Sequence, residues 1–266
     1  MQIPLLAMDG SRAELGTVRM HMGDWRDAWW SWPSSAALIT DPPYGISYRS
    51  NWSVGADRSK PAAPELRSIA RDVVGDETTE ERDAALEQSW VVAAVWGPGR
   101  LDRIKPWGDP HSVLVHDKGV GVGMGDLGIP WKPNYETIAI YGKGWAGKRT
   151  SSVLRGSVVS FGESASNGRR HPNQKPLTIC AELVGKAPAG SPIVDPFAGS
   201  GQVLLAATLL GVDAFGAEID PEHYSSTVAV LRAHGITVLE GPELEKAPET
   251  ILGSLGASHA DQPTDR

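Results

Sequence analysis

The stretch best suited to chemistry is Asp41-Pro42-Pro43-Tyr44-Gly45, which follows the apolar run Ala36-Ala37-Leu38-Ile39-Thr40. A short apolar run halted by two prolines reads as a buried strand whose chain is forced out of the sheet. A residue before proline is pushed away from the helical region, so Asp41 and Pro42 are held extended. Prolines carry no N–H, so the carbonyls here lose local helical partners and point outward as acceptors. A stiff rim with a carboxylate, a carbonyl and an aromatic ring suits gripping a flat group that bears an NH2. For Pro-Pro alone, a strand followed by a plain turn is the simpler alternative.

A second constellation is Asp195-Pro196-Phe197-Ala198-Gly199-Ser200-Gly201, after the apolar pair Ile193-Val194. Glycines at a strand-to-helix turn let backbone approach a ligand with no Cβ in the way. About nineteen residues after Gly199, Glu218 ends the next strand, where a carboxylate can accept two ribose hydroxyls. That layout is shared with dinucleotide-binding folds and by itself also permits an NAD-dependent oxidoreductase. Two features depart from their fingerprint. Gln202-Val203-Leu204 supplies no third glycine or alanine, and Asp195 suits an ammonium better than a pyrophosphate. A third element, His171-Pro172-Asn173-Gln174-Lys175-Pro176, precedes a helical stretch from Leu177 to Val184.

These three motifs resemble those of the S-adenosylmethionine-dependent DNA amino-methyltransferases, across about residues 18–233. The catalytic motif precedes the cofactor motif, the order of the circularly permuted beta group. The resemblance implies a Rossmann-like methyltransferase fold, α/β, with a largely parallel twisted sheet and helices on both faces. It implies that Asp41, Pro42, Pro43 and Tyr44 act on a target base flipped out of double-stranded DNA. It further implies that Asp195, Phe197, Gly199, Ser200 and Gly201 line the methionine and ribose end of the cofactor, with Glu218 on the ribose. Pro172 and Lys175 are expected nearby, where Lys175 meets the cofactor carboxylate or, alternatively, a DNA phosphate. Asp24, one helix ahead of the catalytic strand, resembles an acid that contacts the cofactor adenine, although capping that helix would account for it equally. Asp rather than Ser at the head of the motif favours adenine N6 as acceptor, by family analogy. Cytosine N4 and a non-catalytic DNA binder of the same fold remain the alternatives.

Such chemistry calls for no metal and no covalent intermediate, and the histidines show no metal-ligand spacing. A carbon-5 cytosine enzyme needs a cysteine nucleophile, but the single cysteine, Cys180, lies inside the predicted helix and reads as core. One cysteine also excludes a disulfide framework and fits a reducing cytoplasm. The N-terminus has no signal-peptide pattern, and no apolar run approaches a membrane span.

The length of 266 residues suits one large α/β domain. A methyltransferase domain is expected over 1–240 and a flexible tail over 241–266. Residues 46–88 read as a lid or insertion, and residues 142–170 as a basic target-recognition segment. The net charge of −7 looks unfavourable for a DNA binder, but its distribution is uneven. Lys143 to Lys175 holds seven basic residues against Glu163 alone, a local +6 that leaves −13 elsewhere. Arg149, Arg155, Arg169 and Arg170 are the expected phosphate contacts. Only about thirty residues separate Tyr141 from His171, which predicts a short or loosely defined recognition site, since base-edge contacts need residues to make them. Trp25, Trp29 and Trp32, at i, i+4 and i+7, predict one amphipathic helix with all three rings in the core. Oligomeric state, monomer or homodimer, is left open by the sequence.

Overall fold

Strand β2 (Ala37–Thr40) is buried along its whole length. That is what a short apolar segment must be when a sheet is covered on both faces. It pairs in parallel with β3 (Ala93–Gly97) on one side and β7 (Ile193–Asp195) on the other. The structure, a computed structural model, describes residues 14–45, 76–97, 107–119, 128, 130, 131, 134–156 and 174–240. Among these residues a nine-stranded sheet runs in the order β6-β4-β5-β3-β2-β7-β8-β1-β9. The remaining strands are β1 (Val18–Met22), β4 (Ser112–Asp117), β5 (Tyr135–Tyr141), β6 (Val153–Arg155), β8 (Ala214–Glu218) and β9 (Val238–Glu240). Only β5 runs against its neighbours, β3 and β4, and every other pairing is parallel.

Side-chain alternation along β2 sorts the core into two faces. Ala37 and Ile39 join one cluster with α2 (Leu177–Val184), α3 (Gln202–Leu209) and α4 (Pro221–Ala233). Leu38 joins the other, with α1 (Glu80–Leu86) and the tryptophans Trp25, Trp32 and Trp90. Helix α3 is apolar almost all round and is buried accordingly, from Val203 to Leu209. Its close approach to the sheet depends on Gly216, where a Cβ would lie 2.6 Å from Leu204 Cδ1. On the other face, the indoles of Trp90 and Trp107 donate to the carbonyls of Ala85 and Leu86 (2.8 and 2.7 Å). They thereby tie the carboxyl end of α1 to the indoles packed beside it.

Because α1 follows β2 on one face and α3 follows β7 on the other, the crossovers diverge between these two adjacent strands. A crevice at the carboxyl ends of the strands results, the usual ligand position in open α/β sheets. Asp41, Asp195, Glu218 and Asp24 all lie at that edge, just at or beyond the ends of β2, β7, β8 and β1.

The expected tryptophan helix is corrected. Two 3₁₀ turns, Trp25–Asp27 and Trp29–Ser31, are separated by Ala28 in a non-helical conformation. Three residues per turn do not keep i, i+4 and i+7 on one face. Pro33 also forces Trp32 extended. Trp25 and Trp32 are buried as expected, whereas Trp29 is 42% exposed.

Candidate active site

Thr40, the last residue of β2, points its hydroxyl at the neighbouring strand and donates to Asp195 Oδ1 at 2.6 Å. The ends of the two motif-bearing strands are thus pinned together. Beyond Thr40 the proline pair turns the chain out, and the turn is held from below by Asp76. The Asp76 Oδ1 accepts the backbone N–H groups of Tyr44 (2.5 Å) and Gly45 (2.8 Å). Gly45 has φ 68°, and a Cβ there would meet the backbone of Thr78 at 2.9 Å, so the turn requires glycine.

The Asp41 carboxylate stands at the centre of a buried polar cluster. Its Oδ1 accepts the Tyr44 hydroxyl at 2.6 Å, and its Oδ2 lies 2.8 Å from Lys175 Nζ. Lys175 also donates to Glu136 Oε2 at 3.0 Å and to the Tyr44 hydroxyl oxygen at 3.3 Å. Glu136 in turn meets Lys118 Nζ at 3.0 Å and His116 Nδ1 at 3.4 Å. Burial alone would favour a neutral Lys175, but the carboxylates of Asp41 and Glu136 outweigh it and hold the ammonium above its ordinary pKa. Burial likewise opposes ionisation of Glu136, and Lys175, His116 and Lys118 overcome it, keeping its pKa well below the usual range. Burial raises the Asp41 carboxyl, Lys175 pulls it back, and Glu136 adds to the rise. The Tyr44 phenol is pushed up by burial and by Asp41, so it stays protonated and able to donate.

The second half of the site is the loop from Asp195 to Gly201. Asp195 is 2% exposed, and burial lifts its carboxyl to about 7, against the hydrogen bonds from Thr40 and the Phe197 N–H. Gly199 is tied at both ends of its backbone. Its N–H donates to Glu218 Oε2 at 2.7 Å, and its carbonyl accepts the Thr227 hydroxyl of α4 at 2.6 Å. The other oxygen of Glu218 accepts the Asp220 N–H at 2.9 Å. Asp220 caps α4 through the N–H groups of Glu222 and His223, with Pro221 at the first helical position. The loop is therefore set before any ligand arrives. Its glycines, at φ 49° and 72°, let the loop turn tightly into α3, acids flank it, and the 50%-exposed Ile219 offers an apolar surface beside Glu218. Those features fit a nucleoside whose other end is cationic.

Residues 71–229, 159 of the 266, match the DNA methylase family of the N6/N4 type. The chain belongs to that family. The match spans Glu136, Lys175, the Asp195 loop and Glu218 and begins after Tyr44. The chain is also similar to "Putative methylase YubD" of Escherichia coli K12, 26% identical over 205 residues, 70% of this chain and 77% of that protein. Among solved structures, the M1.HpyAVI–SAM complex matches with a TM-score of 0.51 at 14% identity, covering 81% of this chain and 100% of that one. The cytosine-N4-specific PvuII DNA methyltransferase matches with a TM-score of 0.55 at 14% identity, covering 80% and 86%. The fold is thus the Rossmann-like methyltransferase fold.

Within this N6/N4 methylase, Asp41 to Tyr44 meet Lys175 at one end of the crevice, and Asp195 to Gly201 meet Glu218 at the other. Lys175, expected beside the cofactor carboxylate or a DNA phosphate, is bound to Asp41 and Glu136 on the side of the Asp41–Tyr44 rim. Its three N–H groups all have protein acceptors. Asp24 caps the first 3₁₀ turn through the Arg26 N–H and pairs with the Arg26 guanidinium, which reaches on to Glu81. Arg149 and Arg155 are exposed, and Arg155 lies 3.3 Å from Asp117. Pro172, Arg169 and Arg170 lie outside the described residues, as does most of the expected lid (46–75). Cys180 is fully buried, and burial pushes its thiol well up. Sequence reasoning missed Asp76 and His116. It took in Glu136 only within Asn134-Tyr135-Glu136-Thr137, a stretch leading into a strand and resembling a family motif near the target base, although Glu136 is the lone acid of β5.

Among the described residues, no helix is long and apolar enough to cross a membrane.

Proposed function

We propose that this methylase transfers a methyl group from S-adenosylmethionine to the exocyclic N6 amine of an adenine flipped out of double-stranded DNA. One observation carries the reading. Asp41, on its proline-stiffened rim, stands beside the end of the strand that opens the glycine loop, with Thr40 joining the two. An amine-gripping group and a nucleoside-binding loop are thereby neighbours. When bound, the cofactor supplies an electrophilic methyl on a sulfonium.

The acceptor is a poor nucleophile because its lone pair is delocalised into the ring. One N–H donated to Asp41 and one to the Pro42 carbonyl favour a pyramidal nitrogen and aim the lone pair at the methyl. With that methyl supplied, the amine would gain the new N–C bond and the positive charge, the cofactor would leave as a neutral thioether, and Asp41 would take the surplus proton. Rate comes from placement and from a carboxylate matched to that charge. Tyr44 stacks on the extruded base, a contact worth about 1–3 kcal/mol. For that, its hydroxyl must exchange the bond to Asp41 for the incoming amine. The Asp195–Gly201 loop and Glu218 hold the methionine and ribose parts of the cofactor, and the exposed Arg149 and Arg155 contact phosphate.

The test is incubation of the purified protein with methyl-labelled S-adenosylmethionine and unmethylated DNA, followed by nucleoside mass spectrometry. N6-methyladenine is the expected product, and Asp41→Ala should lower its rate at least about 100-fold while sparing cofactor binding. N4-methylcytosine would keep the mechanism and replace the acceptor. Tight DNA binding with no methylated base would favour a non-catalytic binder, and stabilisation by NAD but not by S-adenosylmethionine would reject the cofactor.

A further inference from the structure

The reaction just described leaves Glu136 without a role, yet its position is unusual. Its side chain is 15% exposed, on the one strand that runs against its neighbours, and it faces the ammonium that pairs with Asp41. Lys175 is 8% exposed and divides its three donors among Asp41, Glu136 and the Tyr44 hydroxyl. An ammonium has three protons, so each has one acceptor here. Removing one acceptor leaves a buried donor unpaired, or makes the lysine move.

We propose that Glu136 is a positioning residue for methyl transfer: it shares the Lys175 ammonium with Asp41, holding that cation in place while leaving Asp41 a strong acceptor for the target amine. The inference rests on the methyl-transfer reading above. Without the Glu136 charge, Asp41 is the one carboxylate left on Lys175 among the described residues, and the pair closes. A carboxylate committed to a whole ammonium accepts less well from a neutral amine, and it offsets less of the positive charge that reaches nitrogen as the S–C bond breaks. Glu136 is itself anchored on its far side by Lys118 and by His116, whose Nε2 lies 3.2 Å from the Gly156 carbonyl at the end of β6. The cluster is therefore braced against the sheet rather than floating in the crevice.

Among the described residues, the charged and titratable groups around Asp41 are Lys175, Tyr44 and Glu136, with Asp195 at the end of β7 and Cys180 in α2 close enough to couple with it. Asp76 acts on the backbone beneath Tyr44. Asp41 must be ionised to accept, so the acid limb of kcat against pH reports its protonation. The Glu136 charge opposes that ionisation and the Lys175 charge assists it. The deciding experiment measures kcat–pH profiles on unmethylated DNA for wild type, Glu136→Gln and Lys175→Met. Glu136→Gln should lower kcat by about tenfold or more, leave KM for S-adenosylmethionine within about twofold, and move the acid limb to lower pH. Lys175→Met should move that limb to higher pH. A merely structural glutamate would not shift the two limbs in opposite directions. Should Lys175→Met fail to fold, with two carboxylates left face to face, the Glu136→Gln/Lys175→Met pair replaces it. Its limb must then lie above that of Glu136→Gln alone. An unchanged kcat and limb in Glu136→Gln, or a limb moving upward, overturns the proposal. A wild type that methylates nothing is visible before any variant is compared, and it removes the methyl-transfer reading itself.

Discussion

Replacing Gly201 with alanine tests whether the Asp195–Gly201 loop is held by its packing against α4. Gly201 caps α3 at φ 72°, ψ 17°, and a Cβ would stand 2.4 Å from Thr227 Cγ2. Thr227 has no cheap escape. It is 1% exposed, and rotating its methyl away breaks the 2.6 Å bond from its hydroxyl to the Gly199 carbonyl. The left-handed conformation costs a non-glycine residue about 1 kcal/mol. Overpacking a full site adds about 1–3 kcal/mol. The sum, about 2–4 kcal/mol, lowers Tm by about 5–15 °C for a domain of this size. Gly190→Ala provides the comparison, because φ is 78° there but nothing lies within 4 Å of the Cβ, so only the strain remains. Its Tm should fall by about 2–4 °C. Thr227→Ser removes the methyl and keeps the hydroxyl, so Gly201→Ala/Thr227→Ser should recover most of the difference between the two glycine variants. Differential scanning calorimetry gives the stabilities, and titration with S-adenosylmethionine shows whether the loop still binds. Equal losses for the two glycines, or no recovery with serine, would refute the reasoning.

Asp195 makes a pH prediction whose sign follows from its raised value of about 7. The native state keeps a proton that the unfolded state releases near pH 4, so stability falls as pH rises from roughly 4 to 7. Asp195→Asn should flatten that slope in denaturant titrations run across the window. Glu218→Ala strips an acceptor from both the Gly199 and Asp220 N–H groups. It should therefore cost about 1–3 kcal/mol even without cofactor and weaken S-adenosylmethionine binding by calorimetry. A loss of affinity with wild-type Tm would contradict its place in the loop. Arg149→Ala/Arg155→Ala should weaken binding to duplex DNA and reduce the slope of log K against log salt by up to about 1.8. An unchanged slope in fluorescence anisotropy would place those arginines off the DNA path.

Much of the architecture follows from local rules. Proline pairs end strands, glycines mark a strand-to-helix turn, and apolar runs of four or five residues make strands buried on both faces, so β2, β7, α3 and β8 are legible from their own residues. The tryptophan segment was misread because periodicity alone does not distinguish an α-helix from two 3₁₀ turns broken at Ala28 and stopped by Pro33. The polar cluster around Asp41 was legible only in part. Lys175 belongs to a recognisable motif, but its partners lie 39 residues away in Glu136 and 131 residues away in Tyr44.

The sequence by itself determined the two motif-bearing ends of the crevice, because each is a short contiguous motif whose backbone chemistry is local: a carboxylate on a proline rim, and glycines before a helix. What only the tertiary structure decided is how charge is distributed between them. The parallel pairing of β2 with β7 brings Thr40 to Asp195, and the antiparallel insertion of β5 carries Glu136 to Lys175. Ionic neighbours are fixed by strand order rather than by spacing along the chain. A lysine whose motif lies next to the Asp195 loop in sequence therefore stands, in the folded protein, against the Asp41 carboxylate.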